Sequence, residues 1–283
     1  MGIFTIFKKI VKTIRFPNSR SLSSDTSHDL VTTLWECDFL TPIKEFLERG
    51  NARVLDVATG RGTWVLECAE KYPWSNFTGV DASLNFPSVA NINLMNATFL
   101  QSDVLDRLLF DDNTFDFVHI RCITLIFTDQ QWENKVLKEL IRVCKPGGWI
   151  ELVVSDHAGY INQGPTHAHL CETAGIFFSG HDLVTIAGEN IAYYLKKEGQ
   201  VTEINEEIRI VPYYGSRLGR AFADHLIKFI HAYKDLLATY MGFDDQGWED
   251  NVKLIKRELS EYRTESIMRR VYCKKIDPEQ DLV

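Results

Sequence analysis

The run RVLDVATGRGTW at residues 53–64 constrains the fold more than any other part of this chain. Val54, Leu55 and Val57 are typical of a strand that is buried on both faces. Gly60 and Gly62 follow, and they let the backbone bend sharply and approach a ligand without an intervening Cβ. No Gly-Lys-Ser/Thr sequence comes next, which excludes the triphosphate site of a P-loop. The run therefore predicts a strand, a tight turn and a helix start beside a nucleoside or dinucleotide ligand.

The composition is that of an ordinary globular protein. The 283 residues are 45% hydrophobic and 25% charged, which allows one large domain. A formal net charge of −8 argues against general nucleic-acid binding, because neutralising phosphates requires clustered Lys and Arg. The cysteines lack the CxxC or Cys-His spacing of a zinc site, so we expect reduced thiols and no metal. They are Cys37, Cys68, Cys122, Cys144, Cys171 and Cys273.

The first 20 residues differ in charge from the rest of the chain. They contain five basic residues and no acid, and their apolar residues fit one helical face. Such a segment is typical of a membrane-surface helix, a mitochondrial presequence, or a disordered or docking tail. We assign residues 1–27 to a leader and linker that makes at most a weak membrane or protein contact, and residues 28–283 to one domain. The expected location is the cytoplasm, with the mitochondrion, a membrane surface and the nucleus as open alternatives.

Strand-like and helix-like stretches alternate from Arg53 onward. This order predicts an α/β fold with a doubly wound, mostly parallel seven-stranded sheet. Residues 164–197 and 217–262 read as helical insertions on the substrate side, forming a lid. Predicted strands cover residues 53–57, 76–80, 97–101, 115–120, 149–154, 206–212 and 267–274. Predicted helices cover residues 28–49, 63–71, a stretch near Ser88, 129–144, 166–178, 182–197, 217–241 and 245–262.

Polar residues follow the predicted strands, where ligands of an open parallel sheet bind. Asp81 ends the second strand, about 25 residues after Asp56, and a carboxylate there can accept both hydroxyls of a ribose. Asp103 follows the third strand, and His119 with Arg121 ends the fourth. A Lys-Pro-Gly-Gly turn at residues 145–148 precedes the fifth. Together with the glycine turn, this set of residues strengthens the prediction of a nucleotide-type site.

Over residues 50–156 the chain resembles the class I S-adenosylmethionine-dependent methyltransferases. VLDVATGRG resembles the first motif of that family, GVDAS its ribose-binding acid, and QSDVL its adenine-binding segment, while FDFVHIR and KPGGWIEL complete the pattern. The resemblance implies that the cofactor is S-adenosyl-L-methionine. It also implies cofactor-binding roles for Asp56, Ala58, Thr59, Gly60, Gly62, Asp81, Ala82, Ser83, Asp103, Val104, His119 and Arg121.

Longer segments are similar to the fungal LaeA-like group, which is associated with the regulation of secondary metabolism and with small-molecule methylation. These segments include TGRGTWVLECAEKYP and the C-terminal MGFDDQGWEDNVKLIKREL with IMRRVYCKK. One departure is Ala58, where the family usually has glycine. An added methyl group there would crowd the methionine carboxylate. We expect the site to accommodate the cofactor less readily, without losing the ability to bind it.

Three other interpretations are weaker. A dinucleotide-binding dehydrogenase would need a third glycine near position 65, where this chain has Val65. A metal site at His167, His169 and Cys171 lacks a fourth ligand, and residues two apart on a helix point to different faces. A non-catalytic protein that keeps this fold and acts through protein partners stays an open alternative.

The predicted activity moves a methyl group from S-adenosylmethionine to an oxygen or nitrogen of a small-molecule acceptor. Proximity and orientation supply much of the acceleration in such a transfer, so a general base is optional. His119 and His157 are the candidate bases, and each has a structural interpretation as well. Aromatic residues that either roof an acceptor pocket or belong to the core are Trp35, Phe39, Trp64, Phe177, Phe178, Tyr193 and Tyr194.

Overall fold

The computed structural model describes residues 24–87, 93–121, 127–180 and 187–279. Its strands are β1 (Arg53–Val57), β2 (Asn76–Asp81), β3 (Ala97–Gln101), β4 (Phe115–Arg121), β5 (Cys144–Ile161), β6 (Val201–Pro212) and β7 (Glu265–Lys275). They form one sheet in the order β3-β2-β1-β4-β5-β7-β6. Strands β1 to β5 pair in parallel, and β7 runs antiparallel to β5 and β6. The predicted doubly wound, mostly parallel α/β fold is confirmed.

Helices cover both faces of this sheet. They are α1 (Ser24–Trp35), α2 (Lys44–Arg49), α3 (Thr63–Lys71), α4, α5 (Pro165–Ser179), α6 (Ala187–Glu198), α7 (Arg217–Ala232), α8 (Lys234–Tyr240) and α9 (Asp245–Glu261). Helix α4 has three consecutive parts, namely Asp129–Gln131, the π-helical turn Trp132–Val136 and Leu137–Val143. The leader up to residue 23 and the helix predicted near Ser88 lie outside the described residues.

Alternation along the strands gives each face its own core. On one face, Leu55 and Val118 belong to a cluster that α4 and α6 cover. On the other face, Val54 and Phe117 pack with α2 and α3, while Val153 packs with α1, α5, α7, α8 and α9. The side chains of Asp56 and His119 share this second face, because each lies two residues from Val54 and Phe117.

Strands β5 and β6 extend beyond their predicted bounds, and β5 runs on to Ile161 instead of ending at Val154 because it continues to pair with β7. Strand β5 begins at Cys144 rather than Trp149, because Cys144 pairs with Phe115 before the register shifts. The Lys-Pro-Gly-Gly sequence forms a bulge inside the strand, with φ at Gly147 of +72°. Strand β6 begins at Val201, and an irregularity near Thr202 hides its period in the sequence.

The helix predicted over residues 28–49 is interrupted. Glu36 has φ of +57°, which ends α1, and the amides of Leu40 and Thr41 donate to a carboxylate oxygen of Glu151 at 2.8 Å instead of continuing a helix. The helix predicted over residues 217–241 is divided at Tyr233, where φ is −98° and ψ is 5°. In both places the local pattern is helical, but a tertiary contact or a single backbone angle breaks the helix.

Two observations bear on membranes and disulfides. Within the part of the chain that the structure describes, no helix has the length and apolar character to cross a membrane.

Cys37, Cys68, Cys144, Cys171 and Cys273 are free thiols, and Cys122 lies outside the described residues. Burial raises the pKa of Cys171 to about 11 and that of Cys273 to about 12, so both are protonated at neutral pH.

Candidate functional site

The turn between β1 and α3 has left-handed backbone at three positions. The value of φ is +54° at Ala58, +59° at Gly60 and +78° at Gly62. A residue with a Cβ pays about 1 kcal/mol for this conformation, so Ala58 is the strained member of the three. The amide of Thr59 donates to the carbonyl of Val80 in β2 at 2.9 Å, which holds the turn against the sheet.

The glycines of this region serve different purposes. A Cβ at Gly62 would overlap the ring of Phe99, and a Cβ at Gly79 would lie 2.7 Å from the same ring. A Cβ at Gly60 would meet no heavy atom within 4 Å. Packing against β3 therefore requires Gly62 and Gly79, whereas Gly60 turns an open side outward, where a ligand can approach its backbone.

Asp81 ties the turn to the end of β2. Its Oδ2 accepts the Gly60 amide hydrogen at 2.9 Å, and its Oδ1 accepts the amide at 2.8 Å and the hydroxyl at 2.7 Å of Ser83. The neighbouring Ala82 carbonyl accepts from Gln101 Nε2 at 3.0 Å. Two carboxylate oxygens provide about four lone-pair directions, so this half-buried group retains capacity for one more donor. The predicted residues Gly60, Asp81, Ala82 and Ser83 are thus brought together.

Asp103 and Val104 follow β3 at the same edge of the sheet. The half-buried Asp103 accepts the Leu105 amide hydrogen through Oδ1 at 3.0 Å, and its carbonyl accepts the amide of Asp106 at 3.0 Å. Val104 is buried in the core beneath. The side chain of Asp103 is therefore held by its own loop at the edge, next to the end of β2.

Asp56 and His119 form a buried pair across β1 and β4. They lie opposite each other in the register, and Asp56 Oδ1 is 2.8 Å from His119 Nδ1. Asp56 Oδ2 accepts the hydroxyl of Thr59 at 2.7 Å, which links the pair to the glycine turn. The His119 ring is fully buried and stacks on Trp64 with centroids 4.1 Å apart. This burial favours a role for His119 in positioning Asp56 over the role of general base for which the sequence makes it a candidate.

Arg121 reaches the N-terminal helix rather than open space. Its Nη2 donates to His28 Nδ1 at 2.7 Å. Because an arginine can only donate, His28 accepts through Nδ1 and keeps its hydrogen on Nε2, which lies 2.7 Å from Glu67 Oε2. Sequence reasoning missed His28 and Glu67, since no local pattern relates His28 to Arg121, 93 positions away, or to Glu67, 39 positions away.

Glu151 is a second buried group that sequence reasoning missed. It has no exposed surface, it lies beside His119 in the register, and it accepts the amides of Leu40 and Thr41. Its other oxygen is 3.4 Å from Nη1 of the buried Arg270. A signal was present, because a glutamate within the apolar run WIELVV requires a partner in the core.

The remaining histidine candidates are separated in space. His157 belongs to β5, but its side chain lies outside the described residues. His167 is buried, and His169 on the same helix is exposed. Burial lowers the pKa of His167 to about 4, so its ring is neutral at pH 7.

The aromatic candidates divide between core and surface. Trp35 and Trp64 are fully packed, with Trp35 Nε1 donating to Met268 Sδ at 3.2 Å. Phe39 packs edge-on against Phe117 at 5.6 Å, and Tyr193 is 61% exposed. Phe177 and Phe178 are buried against each other at 5.6 Å, and Tyr194 packs against the α4 side of the core. Most of the seven are therefore structural.

Comparisons with known proteins find methyltransferases among the similar sequences and structures. Residues 54–148 match the family model described as "Methyltransferase domain". Over 157 residues the chain is 32% identical to methyltransferase pytC of Aspergillus terreus. The matched segment covers 53% of this chain and 44% of that protein. It is 27% identical to N-methyltransferase tcpN of Claviceps purpurea over 177 residues, covering 58% and 60% of the two chains. The matches thus span about half the length of these relatives.

Solved structures share the fold. Phosphoethanolamine N-methyltransferase 2 of Haemonchus contortus, solved with phosphomonomethylethanolamine and S-adenosylhomocysteine, superposes with a TM-score of 0.53 at 19% identity, over 93% of this chain and 60% of that one. The plantazolicin methyltransferase BpumL, solved with S-adenosylhomocysteine and a substrate analogue, gives 0.51 at 15% identity, over 97% and 99%. Residues 54–148 of this chain thus match a methyltransferase domain, and the chain shares the fold of these solved methyltransferases.

Proposed function

We propose that the protein is a methyltransferase that transfers a methyl group to an oxygen or nitrogen of a small molecule. One observation carries the proposal. The carboxylate of Asp81 accepts the amide hydrogen of Gly60 at 2.9 Å, beside a glycine whose outer side is open. A nucleoside can therefore lay its ribose against the carboxylate and its remaining length along the turn.

The cofactor is S-adenosyl-L-methionine, and the residues present fit it. Asp81 has one lone-pair direction left for a ribose hydroxyl, and the open backbone around Gly60 suits the methionine end. Ala82, Ser83, Asp103 and Val104 provide the edge on which the adenine would lie. When bound, the cofactor supplies an electrophilic methyl group on a sulfonium, which needs no activation by the protein.

The chain's own contribution is to hold this turn in place. Asp56 fixes Thr59 through its hydroxyl, and His119 fixes Asp56. Arg121 fixes α1 through His28, which closes that side of the site. We assign Asp56, His119 and Arg121 positioning roles on this geometry, and we keep His157 as the candidate base.

A small-molecule acceptor is supported by the solved neighbour bound to a phosphomonomethylethanolamine and by the acidic net charge. Membership of the LaeA-like group stays a proposal, supported by the sequence segments quoted above and by fungal relatives such as pytC. A contact of the basic leader with a membrane or protein, and a cytoplasmic location, are likewise proposals that rest on the sequence.

The experiment is a transfer assay with methyl-labelled S-adenosylmethionine and the small-molecule fraction of a cell extract. We expect one or more labelled small molecules, formed together with S-adenosylhomocysteine, and less product at subsaturating cofactor with a variant that lacks the Asp81 carboxylate. Cofactor binding without any transfer would contradict the enzyme and favour a regulatory protein that acts through partners. Failure to bind either form of the cofactor would also contradict the enzyme, and would leave the non-catalytic protein that keeps this fold and acts through partners.

A further inference from the structure

A cavity of about 380 Å³ lies between α5, α7 and α8. Its wall is mainly apolar and aromatic, with contributions from Leu170 and Phe178 of α5, Phe229 of α7, and Tyr233 and Leu237. Ligand sites in proteins have volumes of about 300 to 1,000 Å³ and this kind of lining. None of the residues described above as holding the cofactor lines it.

Two polar side chains of the wall lack a strong hydrogen-bond partner. Within the described part of the chain, His167 Nδ1 is buried without a hydrogen bond, and only 1% of His167 is exposed. The buried Gln163 Nε2 has only the thiol of Cys171, a weak acceptor, beside its amide. A buried polar atom without a partner costs about 1 to 3 kcal/mol, which a bound oxygen atom would offset. The side-chain amide of Gln163 can only donate through this atom, so the atom facing it must be an acceptor.

The wall is rigid where these atoms lie. The carboxylate of Glu258 in α9 accepts the amides of Thr166 and His167 at 2.9 Å each, and the Thr166 hydroxyl at 2.6 Å. These bonds satisfy the first amides of α5. The ring of His167 meets Tyr160 edge-on at 4.6 Å. His167 is thus fixed from both sides before any ligand arrives.

The charge of the wall restricts the occupant. No lysine or arginine is found among the described residues that line the cavity, and the one ionisable carboxylate there, Glu172, is exposed at its rim. An anionic ligand would lose its hydration without gaining a cation. An uncharged ligand avoids this cost.

The cavity lies beyond the carboxyl end of β5, which is the strand beside β4 with its residues His119 and Arg121. Val153 of β5 pairs with Arg121 of β4 in the register, and Val153 belongs to the same apolar cluster as Leu170 and Phe178. Tyr160 and Gln163 continue from the carboxyl end of β5. The cavity and the glycine turn therefore both lie toward the carboxyl ends of the parallel strands, on the same face of the sheet.

We infer that the cavity binds an uncharged, ring-containing small molecule whose hydroxyl or carbonyl oxygen bonds to Gln163 and His167. We assign this molecule as the methyl acceptor, an assignment that rests on the proposed function. The apolar body of the ligand packs between α5 and α7, and its oxygen is held at the His167 end.

The test uses 2-naphthol as an uncharged probe and 2-naphthoate as its anionic counterpart, titrated calorimetrically into the full chain. We expect 2-naphthol to bind at one site and 2-naphthoate to bind at least about tenfold more weakly. Gly175 of α5 lines the cavity on its exposed side, and a Cβ there meets nothing within 4 Å. Gly175→Leu should therefore obstruct the mouth of the cavity and weaken binding by at least about tenfold, while Gly175→Ala, the matched control, should retain it. Gln163→Leu should weaken 2-naphthol by about tenfold.

The variants are checked by thermal unfolding, where Gly175→Leu and Gly175→Ala should melt together. Unchanged 2-naphthol binding in Gly175→Leu, or tighter binding of 2-naphthoate, overturns the inference. S-adenosylhomocysteine binding without 2-naphthol binding overturns the cavity proposal alone, and the reverse result overturns the proposed function alone. If the cavity is the acceptor site, Gly175→Leu reduces methyl transfer and keeps its affinity for S-adenosylhomocysteine. Unchanged transfer contradicts that assignment.

Discussion

Replacing His167 by phenylalanine should change how the stability of the protein depends on pH. Burial lowers the pKa of His167 from 6.5 to about 4, although the nearby Glu258 carboxylate partly opposes this. Between these two values the unfolded chain binds a proton that the folded chain does not. The free energy of unfolding therefore falls as the pH drops from about 6.5 to about 4, and the phenylalanine ring removes this dependence while keeping most of the volume.

The magnitude follows from the shift. At pH 5 the unfolded histidine is almost fully protonated and the folded one is not, so His167 alone lowers the free energy of unfolding by about 2 kcal/mol relative to pH 7. Urea denaturation of wild type and His167→Phe at both pH values measures it. The drop between pH 7 and pH 5 should be about 2 kcal/mol smaller in the variant. His169→Phe, on the exposed side of α5, is the matched control and should follow wild type. Equal drops in wild type and His167→Phe would refute the reasoning.

Three further predictions concern the turn and the cavity wall. Ala58→Gly removes the strain of a left-handed backbone at a residue with a Cβ, so the free energy of unfolding should stay within about 1 kcal/mol of wild type or rise. S-adenosylhomocysteine should bind equally or more tightly in a calorimetric titration. A large loss of affinity would contradict this. Gly62→Ala places a Cβ in the ring of Phe99 and should cost about 2 kcal/mol or more in thermal unfolding, with an unchanged melting temperature as the contrary result. Glu258→Ala leaves buried amides of α5 without an acceptor and should cost about 2 kcal/mol, seen also as faster hydrogen exchange at the start of α5; unchanged exchange would count against it.

The elements of this fold with strong local signals were predictable from the sequence. Helix α3 and strand β3 have the predicted bounds, because a glycine turn marks the start of the helix and apolar alternation marks the strand. Asp81 and Asp103 each stand at the end of a predicted parallel strand. Because parallel strands have their carboxyl ends at the same edge of the sheet, the sequence also predicted that these two residues lie at one edge.

What the sequence could not predict depends on contacts between distant segments. The link from Arg121 to His28 and the burial of Glu151 with Arg270 join residues that no local pattern relates. The cavity arises where three helices leave space between them, and its position depends on crossing geometry rather than on any motif. The burial of His119 likewise follows from the ring of Trp64 stacked upon it.

The most direct test of the central claim is the affinity for S-adenosylhomocysteine of wild type and of Asp81→Ala, measured by isothermal titration. Asp81 organises the turn through Gly60 and Ser83 and is proposed to accept a ribose hydroxyl, so its loss should weaken binding by about 1 to 3 kcal/mol, or about 5- to 150-fold. Asp111→Ala, an exposed carboxylate elsewhere, should bind as wild type does, and the melting temperatures show that each variant is folded. A folded Asp81→Ala that binds S-adenosylhomocysteine as tightly as wild type would contradict the account.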